Sequence, residues 1–317
     1  MQQKRLQNVI AESRWLLPVV TPFAILIWGI VSLFDYSAIP SLVCLMFSTY
    51  LMIELNNENA LIRIYSRMVS CCFMVFTTMA TFQFISIRAA IVILCIAGFY
   101  TCAFRSYQQH TAQGWLFYAF LCIGISSIVW VHTLYLLPLL WLLLATNLLA
   151  ASAKNYVASV LGVLLPNLLY VGYFLWNGNL DTFLAHYTAL AEFETICNYE
   201  LLSISQIITA AWIILCAIIG TSHCLIEKRN DNIRTRMLYG AFIAIAWFSI
   251  VFLCLQPQHF EALLGCIITS ASPLIGHYFA LTHSKLSNFT FKVIALGTII
   301  LTMYNLWAVL PNIFLYK

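Results

Sequence analysis

Long apolar runs alternate with short polar segments along the whole chain. Most runs have close to the ~20 residues that a helix needs to cross a bilayer, and the second and fourth are somewhat shorter. The pattern predicts an all-α fold, a polytopic transmembrane helix bundle of about eleven spans. With ends set to within about 2 to 4 residues, the runs cover about 15–33, 38–53, 68–86, 89–104, 115–131, 134–150, 155–175, 203–223, 237–255, 260–280 and 293–313.

The basic residues fall almost entirely on one side of this threading. Cytoplasmic loops carry an excess of Lys and Arg, so the threading predicts a cytoplasmic N-terminus. Only Arg88 and Lys317 of the 15 basic residues then lie outside. The inside positions are Lys4, Arg5, Arg14, Arg63, Arg67, Arg105, Lys154, Lys228, Arg229, Arg234, Arg236, Lys285 and Lys292.

Composition agrees with a membrane protein. Apolar residues make up 62% of the chain and charged residues 8%, whereas about a quarter of the residues of soluble domains are charged. The net charge of +4 therefore reflects topology and predicts no nucleic-acid binding. The first run is longer than a signal-peptide core and lacks a small-residue cleavage pattern, so we expect an uncleaved first helix. The chain is expected to form one integral membrane domain, 1–317.

Two connecting segments are longer than the others. The inner loop at about 227–236 is expected to be solvated and to face lipid headgroups. The outer interfacial segment, about 177–202, contains no Lys or Arg and begins with a turn signal at 177–179. Asp181 is a candidate cap for a short helix on the membrane surface, which the spacing of Phe183, Tyr187 and Leu190 predicts. The stretch 181–194 is expected to lie as a lid over a pocket floored by Asp35 and Arg88.

Arg88 is the leading candidate for a binding residue. It breaks the charge rule that the other cations obey, and its guanidinium suits a lipid-linked phosphate at this depth. The alternative is an end-of-helix arginine whose charge reaches the lipid headgroups.

Three more outer residues are candidates. Asp35, between the first two spans, is a general base or the cap of the second helix. His132 and His186 are polar groups that would support a phosphate site, and His132 is equally an interfacial neighbour of nearby aromatic residues. No cysteine spacing predicts a metal site, and we expect no cofactor.

His277 is the clearest ionisable residue inside a span. A proline four residues earlier frees a backbone carbonyl, so the favoured interpretation places His277 beside a polar kink. Proton-driven transporters usually carry several such groups and matched broken helices. That pattern is not present, although a carrier for a lipidic molecule stays open.

The central part of the chain resembles known proteins. The residues that carry the resemblance are Phe104-Arg105, Gly114 to Ser127, Leu134 to Leu144, Gly162 to Pro166 and Tyr173 to Leu180. They look like an uncharacterised family of bacterial multi-pass membrane proteins. Their order is also similar to that of the C-type membrane glycosyltransferases: a small-residue helix, a tight outer turn, an aliphatic helix and a Gly-Pro helix that leads into an outer amphipathic loop.

The resemblance implies a bacterial inner (cytoplasmic) membrane location, a polyprenyl-phosphate sugar donor and an acidic catalytic residue in the first outer loop. Asp35 is the position that matches. The chain departs from the glycosyltransferase pattern because its first outer loop is short and has one carboxylate.

Two functions are therefore expected. The favoured one is a non-catalytic carrier or assembly partner for envelope lipid or glycan metabolism. The alternative is a glycosyltransferase-like enzyme acting on a polyprenyl-phosphate-linked sugar at the outer face. The expected partners are membrane lipids, including a polyprenyl-phosphate lipid.

Overall fold

The structure of the chain is a computed structural model. It describes residues 5–193, 196–227 and 230–315, with side chains up to residue 309. Five charged positions of the sequence analysis lie outside these residues: Lys4, Glu194, Lys228, Arg229 and Lys317.

The described residues form thirteen α-helices joined by short connections and 3-10 turns. Eight segments are long and apolar enough to cross a membrane, which makes the chain an integral membrane protein with an all-helical fold. The helices are α1 Leu6–Glu12, α2 Leu16–Phe34, α3 Ala38–Asn59, α4 Met68–Met79, α5 Ile87–Ala103, α6 Gln113–Val129, α7 Leu137–Thr146, α8 Ala153–Trp176, α9 Leu180–Thr188, α10 Ile204–Ile226, α11 Ile233–Leu255, α12 Phe260–Leu281 and α13 Lys285–Leu315.

Three predicted spans correspond to apolar helical segments of fewer than 18 residues, namely Met68–Met79, Gln113–Val129 and Val131–Thr146, whereas α5 and the 3-10 turn that follows it together reach 20 residues. The run at 68–86 contains α4 and a separate 3-10 turn at Thr81–Phe84. The break after Met79 leaves its carbonyl without a helical partner, and Asn305 of α13 donates its side-chain amide to that oxygen at 2.8 Å. Both the total of eleven crossings and the side of the N-terminus stay predictions.

Helix α12 lies at the centre of the bundle, packed against α4, α5, α10 and α11. Small residues let the neighbouring backbones approach, since a Cβ on Gly276 would lie 3.2 Å from the backbone of Met68. Hydroxyl groups in α12 bond to their own helix, as Thr269 does to the carbonyl of Gly265 at 2.8 Å. The central helix therefore carries polar residues without exposing them to lipid.

The connections gather at the two ends of the bundle. At one end, which we call the Arg88 end, Gln83 donates to the carbonyl of Glu261 at 3.1 Å. At the other, the Arg63 end, Arg63 donates to the carbonyl of Asn230 at 2.8 Å. At the Arg63 end, two loops that the threading assigns to the same side thus contact each other.

Candidate functional site

A cavity of about 420 Å³ opens at the Arg88 end. Four parts of the chain build its walls: the start of α5, the end of α6, the segment before and within the first turn of α10, and the turn that leads into α12. Its lining mixes charged, amide and aromatic groups, namely Ser86, Arg88, Ala89, Val129, Trp130, Leu201, Leu202, Gln206, Pro257, Gln258, His259, Phe260, Glu261 and Ala262.

Arg88 lines this cavity from the first turn of α5. Ser86 begins the helix by accepting a hydrogen bond from the backbone N–H of Ala89. A positive charge at a helix N-terminus is unfavourable because the backbone N–H groups already carry partial positive charge there. The stability of α5 therefore does not explain why an arginine occupies position 88. Glu261, in the first turn of α12, occupies a favourable position for a carboxylate and lines the same cavity.

A cluster of aromatic rings adjoins the cavity, and two of its members, Trp130 and His259, line it. The ring centroids of His132 and His259 lie 3.9 Å apart, and Trp130 donates its indole N–H to Nδ1 of His259 at 3.3 Å. Phe252 of α11 stacks on Trp130 with the centroids 6.3 Å apart. His132 lies in the turn between α6 and α7, where burial lowers its pKa against the opposing effect of the Ala189 backbone carbonyl. We name the four rings of Trp130, His132, Phe252 and His259 the aromatic wall.

His186 lies outside the cavity lining. Its Nε2 is 2.9 Å from the carbonyl oxygen of Ser127, so it joins α9 to α6. The next residue, Tyr187, hydrogen-bonds with Asn167 of α8. The expected lid is therefore misplaced: α9 is a short helix in the predicted segment, but none of the residues 181–193 lines the cavity. Its position on the membrane surface stays a prediction. Asp181 is in the first turn of α9, after the capping position.

Asp35 also lies outside the cavity lining. It is the residue that ends α2, and its Oδ1 accepts the backbone N–H of Ser37 at 2.9 Å. The capping position of α3 belongs to Ser37. The carboxylate thus stabilises the turn between two helices, and its role as a base stays a prediction.

The structure brings together Arg88 and, through His259, His132. Glu261 and His259 line the same cavity. The threading places both residues among the outer polar groups expected to form a membrane-surface pocket, but neither is among the predicted site residues. The only available signal was that both were polar and lay in an outer connection, which is true of many loop residues.

An apolar crevice of about 680 Å³ runs on the other side of the aromatic wall. It lies between α7 and α11, with Leu139 on one side and Val251 on the other. Phe252 belongs both to the crevice lining and to the aromatic wall. Gln256 lines the crevice and the next residue, Pro257, lines the cavity. The polar and the apolar space are therefore lined by consecutive residues of the chain.

In the part of the chain that the structure describes, no three His, Cys, Asp or Glu side chains are grouped so as to hold a metal ion. Comparison of the chain with protein-family models, with curated proteins and with solved structures finds no match. The class of protein thus rests on the fold, that of a multi-pass helical membrane protein with a cavity and a crevice at one end.

Proposed function

We propose that this protein binds an anionic long-chain lipid at its Arg88 end, as a carrier or an assembly partner in envelope lipid or glycan metabolism. The headgroup occupies the cavity and the chain occupies the crevice. The observation that carries the proposal is that consecutive residues, Gln256 and Pro257, line the two spaces. An amphipathic molecule needs a polar and an apolar space close together, because its polar and apolar parts are covalently joined.

The charges of the cavity favour a particular headgroup. Arg88 offers a fork of donors that matches a phosphate. Glu261, Gln206 and Gln258 offer acceptors and donors to hydroxyl groups. A phosphate that carries a hydroxylated group, as in a polyprenyl-phosphate sugar, offers acceptors to Arg88 and hydroxyl groups to the carboxylate and amide side chains. The groups that line the cavity therefore support the lipid class expected from the sequence.

The apolar crevice positions the lipid chain but contributes little to the binding free energy. Membrane lipid is about as apolar as a leucine side chain, so moving an acyl or prenyl chain from the bilayer into the crevice changes little free energy. Most of the selectivity then depends on the headgroup and its charged hydrogen bonds, which contribute about 1.5–3 kcal/mol each. Arg88 is therefore the residue whose loss is expected to matter most.

The proposal places the Arg88 end at the outer face of a bacterial inner membrane. Most of the basic residues then lie at the Arg63 end, as the positive-inside rule requires. Arg88 remains as an outside cation that meets the lipid headgroup.

Arg88→Ala is expected to lower the amount of co-purifying anionic lipid about tenfold or more, because charged hydrogen bonds are lost. Arg88→Lys should restore it only in part, since an ammonium lacks the fork geometry. Mass spectrometry of lipids extracted from the purified protein measures both. The matched control is Lys154→Ala, which removes an exposed cation near the start of α8. An Arg88→Ala lipid profile like that of the wild type would contradict the proposal.

The enzymatic alternative is favoured by one observation, the presence of Glu261 and His259 in the same cavity as Arg88. A glycosyltransferase needs a base near the bound headgroup, and Glu261 meets that need better than Asp35. Protein in vesicles containing a polyprenyl-phosphate sugar and an acceptor is expected to transfer sugar if it is an enzyme. Glu261→Gln should then abolish the transfer while lipid binding persists. Absence of transfer by the wild type supports the carrier.

A further inference from the structure

A second ionisable cluster lies at the Arg63 end. Asp231, in the connection between α10 and α11, points its carboxylate into the bundle, where its side chain is only 7% exposed. Its Oδ2 is 3.0 Å from Nε2 of His277 on the central helix α12, whose side chain is fully buried. The expectation that this loop is solvated is thus wrong for Asp231, and His277 has a carboxylate partner in addition to any polar kink.

Three more side chains surround His277. Its Nδ1 lies 3.8 Å from Sγ of Cys224, and the Tyr239 ring meets it edge-on with the centroids 4.6 Å apart. The ring of His223 is 5.3 Å away. The titratable groups that face this cluster from the packed elements are His223, Cys224 and Glu227 from α10 and its end, Tyr239 from α11, Tyr278 from α12, Cys72 from α4 and Arg63 from the connection before α4.

The number of protons on the pair decides its net charge. With one shared proton, an aspartate faces an imidazolium and the pair is neutral. Loss of that proton leaves a buried carboxylate, and gain of another leaves a buried cation. Either state is costly, because an uncompensated charge in a protein interior lacks the solvation that water supplies. The neutral pair is therefore the state that suits this burial.

The partners of His277 also suit an imidazolium. Each ring nitrogen of an imidazolium carries a proton and needs an acceptor. Asp231 places a carboxylate oxygen 3.0 Å from Nε2 as an ion-pair contact, and Cys224 supplies a weakly accepting sulfur at Nδ1.

We propose that Asp231 and His277 form a proton-binding site that holds residues 230–232, which lead into α11, against the bundle. When the proton is bound, the neutral pair keeps Asp231 inserted. When the proton leaves, the buried carboxylate favours withdrawal of residues 230–232 into water. The proposal is independent of the lipid site at the opposite end.

Two further observations support a site that exchanges protons with solvent. The hydroxyl of Tyr239 and Nε2 of His223 are buried and have no hydrogen-bond partner among the described residues. Buried polar atoms of this kind usually bind water, and water beside the pair would deliver the proton. Burial by itself would raise the pKa of Asp231, but the hydrogen bond and charge of His277, with Arg63 and His223, lower it below its usual value.

The test is a double-mutant cycle of Asp231→Asn and His277→Gln, followed by hydrogen exchange of the backbone amides of 230–236. Each single variant is expected to exchange there about tenfold faster than the wild type at neutral pH, because it leaves one buried group without its partner. The coupling between the two substitutions is measured at a series of pH values from about pH 5 to pH 8.

The proposal predicts the direction in which the coupling between the two substitutions changes with pH. The neutral pair exists only while the site holds its proton, so the coupling should fall as pH rises. The lowered pKa of Asp231 keeps its contribution down to the acidic end. Coupling that is constant over the range would mean a neutral hydrogen bond and would overturn the proposal, as would no coupling.

Glu227→Gln is the matched control, since it neutralises another carboxylate of the same connection that also faces His223. It should leave the pH dependence unchanged. If the single variants fail to fold, hydrogen exchange of the wild-type protein alone tests the proposal. After correction for intrinsic exchange, protection of 230–236 must fall with rising pH relative to that of 104–112 at the same end. Equal protection of both segments at all pH values contradicts the site.

Discussion

Gly162→Ala is expected to separate α6 from α8 and to lower the thermal stability of the protein strongly for the addition of a single methyl group. A Cβ on Gly162 would lie 2.5 Å from the carbonyl oxygen of Phe117 and 3.0 Å from the backbone nitrogen of Leu121. Both atoms belong to the backbone of α6, which cannot change rotamer as a side chain can. The two helices must therefore move apart to accept the methyl group.

The contact between α6 and α8 is the most extensive helix pair in the described part of the bundle. Gly124 of α6 makes the reverse approach, with its Cβ position 2.8 Å from the carbonyl oxygen of Val163. In a membrane, helices associate through close packing because lipid provides no hydrophobic drive. We expect Gly162→Ala to cost about 3 kcal/mol, at the upper end of the range for overpacked sites.

Gly172→Ala is the matched control in the same helix. Its Cβ would meet no atom within 4 Å, so the added methyl should be neutral or stabilise the helix by up to about 1 kcal/mol. Thermal unfolding in detergent compares the two variants. Equal shifts in the melting temperature would show that the close approach of α6 and α8 does not limit stability.

Trp130→Ala is expected to destabilise the Arg88 end and also to release the bound lipid. Trp130 contacts the other three rings of the aromatic wall and donates a hydrogen bond to His259. Because its side chain is half-buried, we expect a cost of about 2–4 kcal/mol, somewhat below that of a fully buried tryptophan. The cavity and the crevice also lose the ring that separates them.

Trp141→Ala provides the comparison for this prediction. Trp141 of α7 is half-buried as well and donates its indole N–H to the hydroxyl of Ser159 at 3.0 Å. Both variants should lower the melting temperature, but only Trp130→Ala should reduce the anionic lipid that mass spectrometry detects. Equal lipid retention in the two variants would rule out a role of the aromatic wall in lipid binding.

Local patterns were sufficient for most helices and insufficient for the site. The bounds of α10 were predictable because apolar residues and a flanking polar cap act within one segment. The early end of α4 was not predictable, since the carbonyl of Met79 is satisfied by Asn305, which is distant in the sequence. Arg88 stood out because its charge conflicts with topology, which is a property of the sequence alone.

The sequence by itself determined the all-helical membrane class and the positions of most helices, because bilayer insertion depends on the apolar content and length of each segment separately. Only the tertiary structure decided which polar groups meet. It placed Glu261 and His259 beside Arg88, left Asp35 in its own turn, and brought Asp231 to His277. These encounters depend on helix packing between residues far apart in the chain, and helix packing depends on contacts that no single segment contains.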